Sequence, residues 1–159
     1  MTIAQLPVPP IVKTVVVRAA PERVFALFTE DFARWWPLAR VHTGPDPVEC
    51  AIEPRVGGRV FARAADGRET PWGTVLAYDP PHCLAFSWIV ELSVEQAQLV
   101  EIRFTAEDRG TRVELTHSGW EKLGDAAASQ RERYDRGWGN VFERCFVDYA
   151  NDLQREPRR

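Results

Sequence analysis

Glu53-Pro54-Arg55-Val56-Gly57-Gly58, then Trp72-Gly73-Thr74-Val75, then Asp79-Pro80-Pro81 ahead of Leu84-x-Phe86-x-Trp88, is the stretch that decides the fold. Short runs of period two separated by Gly, Pro and Asp describe a meander of antiparallel strands joined by tight turns. Gly57-Gly58 allows positive φ or a bulge where residues 48–53 turn back into residues 59–64, and Asp66-Gly67 is a hairpin signal. The meander continues through residues 72–78, 83–91, 99–105 and 112–116, the last pair joined at Asp108-Arg109-Gly110. Alternation places Leu84, Phe86 and Trp88, then Val100, Ile102 and Phe104, then Val113, Leu115 and His117 on faces that point the same way.

Outward from the meander, residues 130–153 read as one long amphipathic helix, with Tyr134, Trp138, Val141, Phe142, Cys145 and Tyr149 recurring at three- and four-residue steps. A curved sheet wrapped around such a helix makes a container. Residues 11–18 are β-branched and predict a strand, and Ala20-Pro21-Glu22 predicts a helix start whose apolar face is Val24, Phe25, Leu27 and Phe28. A second short helix begins at Asp31 and is stopped by Pro37. Residues 1–10, with three prolines, form an extended lead-in, residues 11–154 one domain, and residues 155–159 a frayed tail.

Composition narrows the class. With 159 residues, a 45% hydrophobic share, six Trp and eight Phe, the chain builds an aromatic-rich core without disulfides. A net charge of −3 with both signs interspersed gives no basic stripe for nucleic acid and no polybasic block for a membrane surface. No apolar run approaches a membrane span and the first ten residues carry no secretion signal, so the expected location is cytoplasmic. Cys50, Cys83 and Cys145 are odd in number and far apart, which predicts buried free thiols.

Residues with chemical capacity are few. His117 ends an inward-reading strand and is either a hydrogen-bonded structural histidine, a ligand handle or an acid/base. His42 and His82 lie in contexts without metal-ligand spacing, and neither a metal nor a cofactor is expected. Trp35 and Trp36 are adjacent, so on a helix they cannot both face the core, and one is expected at a pocket mouth or partner surface, or under a loop. Gly137 and Gly139 flank Trp138 within the helix, where they either allow close approach, leave room for a ligand, or are tolerated. Glu53, Asp79 and Glu91 are candidates to face the interior, although parity pairs no two of them. Ser118 lacks a nucleophile elbow, and Gly57-Gly58 lacks the Lys-Ser or Lys-Thr of a phosphate loop.

Pro21 with Val24 and Phe25, Trp35-Trp36-Pro37, Gly57-Gly58, Gly73 with Val75, Asp79-Pro80-Pro81, Leu84-x-Phe86-x-Trp88, Thr111-x-Val113-x-Leu115-x-His117-x-Gly119-Trp120 and Gly137-Trp138 form an ordered set over nearly the whole chain. Together they resemble the SRPBCC, or START-like, superfamily, and within it the Aha-type group named for the activator of the ninety-kilodalton heat-shock protein's ATPase. The resemblance implies an α+β helix-grip fold, with about six or seven strands bent around a long C-terminal helix and two short helices after the first strand. It also implies a pocket lined by Trp35, Trp36, Phe86, Trp88, Val113, Leu115, His117, Trp138, Phe142, Cys145 and Tyr149. Members of the superfamily bind lipids, sterols, polyketides or hormones, and some act as cyclases or hydrolases.

Three functions follow as expectations. The first is a carrier or sensor of a small hydrophobic ligand, with His117 or Tyr149 as polar handle. The second is a cyclase or dehydratase on the same pocket, with His117 moving a proton. The third is a chaperone regulator or other partner-binding protein acting through its surface. A homodimer is compatible with each.

Overall fold

The computed structural model describes residues 8–37, 46–89 and 94–155, with side chains as far as residue 153. His42, Glu91 and the outermost ends of the chain lie outside the described residues. The sheet has seven strands: β1 (Ile11–Val17), β2 (Pro47–Ile52), β3 (Arg59–Ala64), β4 (Glu69–Asp79), β5 (Cys83–Trp88), β6 (Gln98–Glu107) and β7 (Gly110–Ser118). Their order is β1-β7-β6-β5-β4-β3-β2, every neighbouring pair described being antiparallel. The result is the helix-grip architecture, a curled sheet closed over a long C-terminal helix.

Register explains why one face is apolar. Leu84 pairs with Ile102 and Ile102 with Leu115, while Phe86 pairs with Val100 and Val100 with His117. Each row therefore crosses three strands, and all six side chains are at most 2% exposed. Curvature comes from irregularities between Val60 and Phe61 and between Val75 and Ala77. Gly73 pairs with Val60 at the first of these, and a Cβ on it would lie 1.7 Å from the Ser87 carbonyl oxygen. Only glycine fits that approach.

α1 (Pro21–Thr29) carries Pro in its first turn and lays Phe25 and Phe28 against Phe104 of β6. α2 (Phe32–Trp35) is a single turn, and Trp36 leaves it with extended φ −71° and ψ 128°. That change of backbone turns both adjacent indoles inward, whereas the sequence expects one of them at a pocket mouth or partner surface, or under a loop. Trp35 swings onto Phe28 and Phe146, Trp36 onto Trp72, Trp88 and Trp138, and both are buried.

Residues 127–155 are helical throughout, but in three registers: α3 (Ala127–Trp138), a π-helical segment (Gly139–Phe146) and α4 (Val147–Arg155). Hydrogen bonds from i to i+5 widen each turn, so a four-residue step stays on one face. Trp138, Phe142, Phe146 and Ala150 follow that step and are buried. Cys145 and Tyr149, which an α-helical count places on the stripe, are only half-buried. Gly137 meets no atom within 4 Å of a built Cβ, so the glycine does not bring helix and sheet together.

Two other expectations need correction. Of the three thiols only Cys50 is fully buried, which pushes it up to about 12, while Cys83 and Cys145 are half-buried. Glu53 does not face the interior: it accepts from the Arg59 backbone N–H at 2.7 Å and from Arg59 Nε at 3.1 Å. Those bonds hold its carboxyl below the usual range. Arg59 and Arg63 in turn cover Phe61 on the outer face, at 4.2 and 5.5 Å from its ring centre. Asp79 is exposed beside the β4–β5 turn. Among the described residues, no helix is long and apolar enough to cross a membrane.

Candidate functional site

Four elements deliver an indole to one end of the concave face: Trp36 follows α2, Trp72 lies in β4, Trp88 in β5, and Trp138 ends α3. Ring centres lie 5.2 Å apart for Trp36 and Trp72, 6.0 Å for Trp36 and Trp138, 6.0 Å for Trp72 and Trp88, and 6.1 Å for Trp88 and Trp138. Their planes are tilted or edge-on, the arrangement that ring quadrupoles favour. Phe86 extends the cluster along β5, 6.1 Å from Trp88.

A polar chain runs beside these rings. Trp138 Nε1 donates to His117 Nδ1 at 3.0 Å, and His117 Nε2 lies 2.6 Å from Gln98 Oε1. An indole nitrogen can only donate, so His117 Nδ1 is the acceptor and the imidazole proton sits on Nε2, which donates to Gln98. The Trp120 ring covers the imidazole at 4.4 Å, and Trp120 Nε1 donates to the His117 carbonyl at 2.9 Å. Burial pushes His117 down to about 3. It is therefore neutral near pH 7 with both ring nitrogens engaged, which suits a fixed structural element and leaves no lone pair for a base.

Trp88 Nε1 donates to Tyr134 Oη at 3.2 Å, but two neighbouring N–H groups are different. Gln98 Nε2 and Trp72 Nε1 are buried and find no acceptor among the described residues. Gln98 pairs with Trp88 across β5 and β6, so Trp88 stands between the two open donors.

Of the residues expected to line a pocket, Trp36, Phe86, Trp88, His117 and Trp138 come together here. Trp35 and Phe142 join a second aromatic group around Phe28 and Phe146. Val113 and Leu115 form the buried floor on β7. Tyr149, expected as a handle, instead donates to Asp31 Oδ2 at 2.8 Å and ties α4 to the start of α2. Cys145 sits half-buried at the margin.

Sequence reading missed Gln98 and Trp72. Parity with Val100, Ile102 and Phe104 puts Gln98 on the inward face, but the strand was expected to begin one residue later, at Leu99. Nothing in the sequence shows that Gln98 has an open amide. A separate solvent-open groove of about 330 Å³ lies by the β4–β5 turn, between α1 and Pro80-Pro81, with Glu22, Glu30 and Tyr78 in its walls. It is formed by none of the cluster residues.

Comparison with known proteins agrees with the fold. Residues 18–149 match the family model described as activator of Hsp90 ATPase homolog 1-like protein. Among solved structures, the anthrahydroquino-γ-pyrone synthase Txn09 is 35% identical, with a TM-score of 0.60, over 89% of this chain and 97% of that one. Protein BH1534 of Bacillus halodurans is 26% identical, with a TM-score of 0.63, over 90% and 99% of the two chains. Protein MLL2253 of Mesorhizobium loti, at 18% identity and a TM-score of 0.68 over 92% and 99%, shares the fold. No curated protein matches the sequence significantly.

Proposed function

We propose that this chain, which belongs to the family of activator of Hsp90 ATPase homolog 1-like proteins, binds a small hydrophobic molecule with an aromatic ring system between the curled sheet and the C-terminal helix, as a carrier or sensor. The observation that carries this reading is the pair of buried N–H groups left open within the indole cluster. A finished apolar core satisfies its polar atoms from within, whereas a ligand site holds a few convergent polar groups among aromatic walls. Flat rings suit such walls. Burying about 300 Å² of ligand apolar surface supplies roughly 7 kcal/mol before the loss of ligand freedom, in keeping with micromolar binding.

Binding fits the interior better than proton transfer. The fully buried polar side chains among the described residues are Thr29, Gln98, Thr111 and His117, with no carboxylate or ammonium. Thr29 and Thr111 donate to the carbonyls of Phe25 and Ala19, at 2.8 and 2.7 Å, and His117 is engaged on both nitrogens. A cyclase-type enzyme is the second reading, favoured by the 35% identity to a γ-pyrone synthase. Such an enzyme would act by holding a chain in a reactive fold and donating hydrogen bonds to its oxygens.

A thermal-shift panel of fatty acyl, isoprenoid, flavonoid, polyketide and sterol compounds, read also by tryptophan fluorescence, tests the proposal. A dose-dependent shift with quenching by ring-bearing compounds, each recovered unchanged by mass spectrometry, supports the carrier. Conversion of a polyketide would move the assignment to the cyclase, and no shift from any compound would overturn both.

A further inference from the structure

We propose that Gln98 reads the bound molecule by donating from its amino group to a carbonyl or phenolic oxygen on the ligand, and that His117 and Trp138 are positioning residues that hold the Gln98 amide in that orientation. The inference rests on the aromatic-ligand reading above and adds to it the polarity of the ligand and the residue that senses it.

The argument is one of direction along a hydrogen-bond chain. Trp138 Nε1 has a proton and no lone pair to offer, so at 3.0 Å it makes His117 Nδ1 an acceptor. The single ring proton of neutral His117 is then on Nε2, and the 2.6 Å contact runs from it to Gln98 Oε1. Turning the amide over would set its NH₂ against that N–H, donor against donor. The carbonyl end is therefore committed to His117, and the amino end is directed away from it with two protons to give. Gln98 is 2% exposed, and its Nε2 finds no acceptor among the described residues.

Every link in the chain points the same way, and it ends as a donor. A ligand ammonium, which has donors and no lone pair, would meet another donor there, whereas a ketone, quinone or phenolate oxygen completes the chain. Trp72 Nε1, the second open group, has the same sign and cannot be reversed. Both flank Trp88, whose own N–H is already given to Tyr134. Trp88 is itself buried against Trp36, Trp72, Phe86 and Trp138, so the two donors border an aromatic wall, which suits a fused aromatic system carrying oxygens at its edge. A buried donor left unmade keeps its desolvation penalty until an acceptor arrives, so a molecule lacking that oxygen is discriminated against. Gln98 lies at the start of a strand and is clamped by a buried ring, which is the preorganisation such discrimination needs.

The test compares 9,10-anthraquinone with anthracene, which share a ring system and differ in two carbonyl oxygens, by fluorescence titration of the full chain. Wild type is expected to bind the quinone about tenfold more tightly, the size of one buried hydrogen bond. Gln98→Glu keeps the acceptor for His117 and removes the donor. It is expected to erase the preference while anthracene affinity stays within about twofold. Gln98→Met removes the donor together with the carbonyl acceptor, brings in no charge, and serves if the Glu variant fails to fold. Trp138→Phe, which frees the tautomer of His117, is expected to narrow the preference, a ratio that loss of packing alone would not move. Equal affinity of wild type for both compounds, or an unchanged preference in both Gln98 variants, overturns the role of Gln98 and leaves the aromatic-ligand reading standing. Failure of wild type to bind either compound overturns that reading and this inference with it.

Discussion

His117 is nearer to a structural peg than to a catalyst, and its proton linkage makes that measurable. Its folded value is about 3 against an ordinary value near 6.5, because burial disfavours the imidazolium. Below pH 6.5 the unfolded chain binds a proton that the native state refuses, so stability is full above that pH and falls as pH drops toward 3. The slope is about 1 kcal/mol per pH unit through that window. Urea denaturation from pH 7 to 4 is expected to show it, and His117→Gln, which cannot titrate, is expected to flatten the slope. An equally steep slope in the variant would assign the acid sensitivity to carboxylates such as Glu53 and Glu69. At this scale the sequence was half legible. Parity aims His117 inward, but its neutrality depends on Trp120 and Trp138 closing over it, and Trp138 comes from an element far along the chain.

At the scale of elements, the C-terminal helix shows what a periodic pattern can and cannot say. A stripe of aromatics is enough to recognise the helix and the side it presents, but a sequence pattern assumes 3.6 residues per turn. The π-helical segment replaces Cys145 and Tyr149 on the buried face with Phe146 and Ala150. Hydrogen-bond register is a property of packing against Phe28 and Trp35, and no single residue type announces it. Phe146→Ala is expected to destabilise by about 3–5 kcal/mol in chemical denaturation, and Cys145→Ala by under about 1. The reverse ranking would restore the α-helical count. The glycines divide in the same way. Gly73→Ala forces a Cβ into the Ser87 carbonyl and is expected to prevent folding or shift the sheet. Gly137→Ala meets open space inside a helix and is expected to stabilise by up to about 1 kcal/mol. Loss of ligand binding in Gly137→Ala with stability intact would show that the missing side chain is room for the ligand.

For the whole molecule, the strand meander, the two small helices and the long C-terminal helix were legible because turn residues and alternation are local signals. The site was legible only as a list of aromatics, since their sorting into an indole cluster and a phenylalanine cluster depends on tertiary crossing. That sorting bears on what the molecule does as a unit. Among the described residues the fully buried polar side chains are a neutral histidine, an amide and two hydroxyls, and none of these titrates near pH 7. An uncharged ligand such as 9,10-anthraquinone, at about a hundred times its dissociation constant, is expected to stabilise the protein by roughly 2.7 kcal/mol and raise its melting temperature by about 5–10 °C. The same dissociation constant is expected across pH 6.5 to 8.5, because neither the ligand nor the site changes charge there. Acid–base turnover, in contrast, requires a group whose protonation changes near the working pH, and ligand affinity would move with it. A tenfold change in affinity over those two pH units would therefore place a titrating group in the site and turn the reading from carrier toward enzyme.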